Sequence, residues 1–430
     1  MQMKKFLPHS EEIPRTSSVN VASSEASILS SNARKWRIAL YSHDTMGLGH
    51  KRRNLLIAQT LGCSPLEIDV LMISGIQDAS NIPTPSGIDC LALPALHKNI
   101  DGQYQARKLD LSLQEIITLR SQVILTTIKT FKPDILIVDN VPRGAVKELD
   151  PTLEYLRSEG RTHCILGLRD ILDEPAAVRR DWKRAANEEA IQTYYDQVWV
   201  YGDSSIYNLA KEYQFQRKTV AKFRYTGYFD QRNRLNYLNS DSVQAFQSLN
   251  LPLERLVLCL VGGGQDGARL AETFAHTELP PQMNGVILTG PFMPREVRQQ
   301  LQNYAAQRDN LRVLEYLTEP TLLLNRAERV IAMGGYNTTS ELLSFGKRSL
   351  IVPRIKPRRE QLIRAERLQA HGLIDVLHPN QLTSQALTNW LMQPAPPPPV
   401  RNCVDLDGLN RIPQFVHEIL TSHHSSKQAC

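Results

Sequence analysis

The chain of 430 residues is 42% hydrophobic and 22% charged, the balance of a folded protein with room for two or three domains. Its 50 Lys and Arg against 44 Asp and Glu leave a net charge of +6, which suits small anionic ligands or an anionic membrane surface and is too dilute for nucleic acid. There is no 18-residue apolar run, no signal-peptide core and no C-x-x-C pair among six scattered cysteines, so the expectation is a cytoplasmic protein with reduced thiols, no spanning helix, no zinc site and no disulfide framework.

Residues 1–35 are Ser-rich, lack an apolar period and read as a disordered arm. Residues 37–42 then predict a buried strand, followed by a glycine-bearing turn and a helix over 50–61 with Leu55, Ala58 and Leu61 on one stripe. Strands are expected at 67–74, 134–138, 163–168 and 197–201, one or two amphipathic helices within 105–131, and a crossing strand at 224–228. A polar stretch over 233–250 joins this half to a second unit, with a strand at 255–261, a helix at 268–275 and strands at 285–289, 329–333 and 349–353. Helices follow through Phe345 and over 360–371, then the proline run 394–399 and a last short helix over 412–421. Apolar strands alternating with helices predict parallel sheets covered on both faces. The fold class is therefore α/β, with two doubly wound Rossmann-like domains facing a central cleft. The expected boundaries are a 36–232 amino-terminal domain, a 250–393 carboxyl-terminal domain and a 394–430 Pro-rich linker and tail.

Three glycine loops fall at carboxyl ends of strands, where doubly wound sheets bind ligands. They are Gly47-Leu48-Gly49-His50, Gly262-Gly263-Gly264-Gln265-Asp266-Gly267, and Gly334-Gly335-Tyr336-Asn337-Thr338-Thr339. Each precedes a helix, so each offers backbone N–H groups and the positive end of a helix dipole to a phosphate. The second loop has the G-x-G-x-x-G spacing, but no carboxylate ends the next strand (288–292), so a nicotinamide cofactor is disfavoured. In the third, Asn337 and Thr338 are able to cap N–H groups or bond phosphate oxygens. Glu341 either closes a capping box with Thr338 or accepts the hydroxyls of a ribose. Glu360 and Gln361 begin the next helix with acceptors and donors suited to sugar hydroxyls.

Taken together, these motifs resemble the GT-B glycosyltransferases, in particular the MurG-type peptidoglycan N-acetylglucosaminyltransferases and the monogalactosyldiacylglycerol synthases, with a related branch of predicted glycosyltransferases. The amino-terminal stretch from Asp44 to His50 is similar to the family's first glycine loop. Gly334 to Glu341, with Gly346, Pro353, Glu360-Gln361 and Gly372, is similar to its donor signature, and the resemblance covers roughly residues 36–380. It implies a UDP-sugar carrying a hexose or N-acetylhexosamine, held mainly by the carboxyl-terminal half, and an acceptor, lipid-linked or small, held by the other. On that likeness Gly49, Gly263, Gly264 and Gln265 lie near the diphosphate or sugar. Gly335, Asn337 and Thr338 bind the diphosphate, Glu341 the ribose, and Glu360 and Gln361 the transferred sugar. Inversion without metal or cofactor is expected, and Asp405-Leu406-Asp407 is rejected as a metal pair because it lies beyond the proline run. The basic run Arg354 to Arg359 departs from the family pattern.

His50 is the expected base for the acceptor hydroxyl, since the helix dipole at its position favours a neutral imidazole; His43 is the alternative. By the same resemblance a strand-end aspartate orients the histidine, and Asp139 is expected there, with Asp170 competing. The aliphatics of 116–128 and the cluster Arg179, Arg180, Lys183 and Arg184 suggest peripheral membrane contact. The rivals are a non-hydrolysing nucleotide-sugar epimerase and a non-catalytic nucleotide-sugar-binding protein.

Overall fold

The computed structural model describes residues 35–427 except 44–48, 76–84, 99–102, 252–253 and 395. The expected amino-terminal arm, apart from its last residue, and the first five residues of the Asp44-to-His50 motif lie outside the described residues.

Nine strands belong to the first half: β1 Trp36–Ser42, β2 Ile68–Ser74, β3 Ile88–Ala92, β4 Leu96–Lys98, β5 Tyr104–Ala106, β6 Ile135–Asp139, β7 His163–Arg169, β8 Gln197–Tyr201 and β9 Phe223–Tyr225. Seven of them form one sheet in the order β3-β2-β1-β6-β7-β8-β9, while β4 and β5 pair as a separate antiparallel ribbon. The second half contributes β10 Leu256–Leu260, β11 Asn284–Leu288, β12 Leu311–Leu314, β13 Ala327–Ala332, β14 Arg348–Ile351 and β15 Asp375–Val376, in the order β12-β11-β10-β13-β14-β15. Every pairing within these two sheets is parallel. Central strands such as β6 (ILIVD) and β10 (LVLCL) are buried along their whole length, which requires helices on both faces. The strand order reverses between β1 and β6 and again between β10 and β13, so the helix start at Gly49 and the glycine loops after β10 and β13 lie at two switch points.

Five strands escape the sequence pattern, the short ribbon strands β4 and β5 and three in the main sheets. β3, β12 and β15 lie toward sheet edges, where exposed positions interrupt the apolar run; β3, for instance, keeps only Ile88 buried. The stretch after the proline run is more than a tail. A helix over Gly408–Lys427 returns to the first half, and its Leu409, Ile412, Phe415, Val416, Ile419 and Leu420 are buried in the same core as Leu55, Leu56 and Leu61 of the Gly49–Gly62 helix. Phe415 meets Trp199 with ring centroids 5.6 Å apart, and Arg224 donates to Glu418 at 2.6 Å.

Charged side chains clasp the two halves together. Arg364, in the Glu360–Ala370 helix, reaches Asp170 just past β7, with Nη2 at 2.7 Å from Oδ1 and Nε at 2.9 Å from Oδ2. Its Nη1 donates to the Gly334 carbonyl at 2.9 Å, and Tyr228 Oη donates to Asp170 at 2.9 Å. Both members of the pair are 1% exposed. Burial opposes the guanidinium charge, and Asp170 more than offsets it, so the Arg364 pKa is raised. The basic run also has partners: Arg354 joins Asp266 (2.9 Å) to Glu360 (2.6 Å), while the Arg359 backbone N–H donates to Asp173 at 2.9 Å.

Candidate active site

β1 and β6 are neighbours in the first sheet, so the start of the Gly49–Gly62 helix sits beside the end of β6. That adjacency brings His50 Nδ1 to 2.6 Å from Asp139 Oδ2. Arg53 follows His50 by three residues and so shares its helix face. Its Nη2 lies 2.6 and 2.7 Å from the two oxygens of Asp139. Asp139 is fully buried. Burial alone would push its pKa up, but Arg53 and then His50 outweigh that, and the carboxyl is held well below its ordinary range. An ionised Asp139 only accepts hydrogen bonds and a guanidinium only donates, so the Nδ1 proton of His50 belongs to the carboxylate. In the neutral ring this places the lone pair on Nε2. The His43 ring lies 5.0 Å from the His50 ring, and Asp170 is engaged by Arg364 instead.

The Asp139 cluster makes a prediction about acid stability. Its folded pKa is depressed, so its contribution is fully present above the unfolded carboxyl value of ~3.9 and disappears as pH falls below it. Chemical denaturation between pH 7 and pH 2 should show a shallower acid-side loss for Asp139→Asn than for the parent, from a lower plateau at neutral pH. Parallel acid limbs would contradict the assignment.

A cavity of about 310 Å³ opens beside His50 between the halves. Of the residues singled out from sequence, Gly49, His50, Gly263, Gly335, Asn337, Thr338 and Glu341 line it. Asp139 stands behind His50. Gly264 shapes the turn: its φ is +96°, and a Cβ there would lie 2.4 Å from the Thr289 carbonyl oxygen. Gln265 is exposed outside the cavity. Glu360 and Gln361 are buried and do not line it; Glu360 Oε1 accepts from Arg354, while its buried Oε2 has no hydrogen-bond partner among the described residues. Gln361 Oε1 accepts from the Arg354 backbone N–H at 3.0 Å.

The Tyr336–Phe345 helix begins from Gly335 with no side-chain cap, so the capping box considered for Glu341 is not formed and the first-turn N–H groups are open to a ligand. Asn337 Nδ2 donates across the cleft to the Gly49 carbonyl at 2.9 Å. Glu341 is 7% exposed, with Arg52 Nη2 at 3.5 Å; burial raises its pKa, and Arg52 and Arg234 draw it partly back.

Sequence reasoning missed several lining residues: Arg52, Arg53, Arg169, Phe292 and Tyr316. Arg53 was detectable from its helix spacing to His50, and Arg169 from ending β7 as Asp139 ends β6. Arg52, which donates to Glu319 of the other half at 2.8 Å, carries no local signal. Among the described residues no group of three or more His, Cys, Asp or Glu is placed to hold a metal ion, and no helix is long and apolar enough to cross a membrane.

The second half of the chain has a counterpart among known domain families. Residues 257–398 match the glycosyltransferase family 28 C-terminal domain. A curated relative from Vibrio atlanticus (strain LGP32), the UDP-N-acetylglucosamine–N-acetylmuramyl-(pentapeptide) pyrophosphoryl-undecaprenol N-acetylglucosamine transferase, is 24% identical over 135 residues, 31% of this chain and 38% of that protein. The match thus spans well under half of the relative's length. Among solved structures, Acinetobacter baumannii MurG aligns with a TM-score of 0.52 at 15% identity, covering 90% of this chain and 100% of that one. The UDP-GlcNAc 2-epimerase of Neisseria meningitidis, solved with UDP-GlcNAc, aligns with a TM-score of 0.56 at 16% identity over the same shares. The chain therefore has the GT-B fold, with a carboxyl-terminal half that matches the glycosyltransferase family 28 C-terminal domain.

Proposed function

We propose that this protein is a glycosyltransferase that moves a hexose or N-acetylhexosamine from a nucleoside-diphosphate sugar, a UDP-sugar in our reading, to an acceptor hydroxyl. The observation that carries the proposal is the His50–Asp139 pair across a cavity from the uncapped helix start of the family 28 domain. On this reading residues 36–232 form the acceptor side and residues 250–393 the donor side. His50 Nε2 takes the proton of the acceptor hydroxyl, and Asp139 holds the ring and stabilises the imidazolium that results. The acceptor oxygen bonds to the anomeric carbon while the bond from that carbon to the diphosphate oxygen breaks. The electron pair leaves with the diphosphate, and a single displacement of this kind inverts the centre. The N–H groups of Tyr336, Asn337 and Thr338 receive the developing charge. Gly49, Gly263 and Gly335 let backbone approach the diphosphate, Glu341 accepts from the ribose, and the unpartnered Oε2 of Glu360 takes a sugar hydroxyl beside Gln361. Gly264 serves by shaping its loop, and Gln265 meets the sugar from the rim.

An epimerase shares the fold but needs no acceptor, so the fold alone does not choose between them. The family 28 match over 257–398 supports the transferase. A thermal-shift panel of nucleotides and nucleotide sugars is the first test. A true donor at a hundredfold excess over its dissociation constant stabilises the fold by ~2.7 kcal/mol, and uridine nucleotides should lead the ranking. A panel with no nucleotide above background sinks the reading. Isolation of a glycosylated acceptor rather than a C2-epimerised donor separates transferase from epimerase.

A further inference from the structure

β7 ends on Arg169, which lines the cavity from the acceptor-side sheet. The other arginines around it are committed: Arg52 to Glu319, Arg53 to Asp139 and Arg364 to Asp170. Arg169 differs. Among the described residues its one hydrogen bond runs from Nε to Asn140 Oδ1 at 3.3 Å, and its two terminal nitrogens have none. Glu360, the carboxylate that favours its charge, is itself taken by Arg354 at 2.6 Å. Burial first, then Arg53 and Arg364, lowers the Arg169 pKa to about 10. A guanidinium held among cations, with a carboxylate already shared with Arg354 as its counter-charge, is costly, and an incoming anion relieves that cost. Its planar fork matches a phosphoryl group with two parallel hydrogen bonds. The open first turn of the Tyr336–Phe345 helix borders the same cavity and supplies donors from the other half.

We propose that Arg169 is an anion-binding residue of the cleft, contributed by the acceptor-side half, which grips a phosphoryl group of the ligand together with the start of the Tyr336–Phe345 helix. The assignment rests on the proposed nucleotide-sugar function for its setting. The phosphoryl group belongs either to the donor diphosphate or to a phosphorylated acceptor, and the test separates the two.

Calorimetry on the full chain and on Arg169→Gln and Arg169→Lys would use UDP, uridine and inorganic pyrophosphate as probes. If the group is the donor diphosphate, Arg169→Gln weakens UDP and pyrophosphate by roughly 10-fold or more, leaves uridine unchanged, and Arg169→Lys recovers part of the loss. If UDP binding is intact and the loss appears only when pyrophosphate is titrated into UDP-saturated protein, the anion belongs to the acceptor. Arg169→Gln affinities equal to those of the parent for UDP and pyrophosphate, in both free and UDP-saturated protein, overturn the assignment. A parent that ignores UDP and uridine yet binds pyrophosphate through Arg169 would reject the nucleotide-sugar reading and keep this site. A parent that binds none of the probes overturns both.

Discussion

Replacing His50 by alanine should lower turnover by ~10²-fold or more while leaving nucleoside-diphosphate affinity within about twofold. The split follows from geometry. His50 stands on the first half, with Nδ1 fixed by Asp139, whereas most of the groups assigned to the diphosphate and ribose (Gly263, Gly335, Asn337, Thr338 and Glu341) belong to the second. Asp139→Asn should also slow turnover, because an amide at that place no longer stabilises the charged ring and leaves Arg53 without its counter-charge. The measurement is nucleoside-diphosphate release from the donor found in the shift panel, beside direct binding of UDP to each variant. Unchanged turnover in His50→Ala would remove the histidine from the chemistry. Lost UDP binding with unaltered turnover at saturation would move it to the donor site.

Asp170→Ala should destabilise the protein by about 3–5 kcal/mol, the usual consequence of stranding a buried charge. Arg364 would keep its bond to the Gly334 carbonyl but lose its three contacts to the carboxylate, at a place where it is 1% exposed. The double variant Asp170→Ala with Arg364→Met should recover most of the loss, since an apolar pair removes the uncompensated charge along with the attraction. Denaturant titration of the parent, both single variants and the double variant closes the cycle. A single-variant cost below about 1 kcal/mol, or no recovery in the double, would mean that the pair does not hold the halves together.

The same pair marks a limit of reading this chain from its residues. From sequence Asp170 competes as a partner for His50 because it follows Arg169 at another strand end. The structure commits it to Arg364, 194 positions away, and couples His50 to Asp139, 89 positions away. The basic run 354–359 reads from sequence either as phosphate contacts or as surface cations, whereas in the structure Arg354 joins Asp266 to Glu360 and Arg359 meets Asp173. The last helix was expected over 412–421, but nothing in its local pattern told where its apolar face would go. That face packs on the Gly49–Gly62 helix, on the far side of the chain's domain crossing.

The residues themselves determined the alternation of buried strands and helices, the α/β class and the glycine loops at strand ends. Those features arise from patterns a few residues long, in which side-chain period and backbone freedom act locally. Tertiary structure alone decided which strand ends became neighbours, which carboxylate faces His50, and which arginines are neutralised and which is left facing the cavity. Such pairings depend on sheet order and on burial, where a charge is tolerated only beside its partner, and no local period encodes either of them.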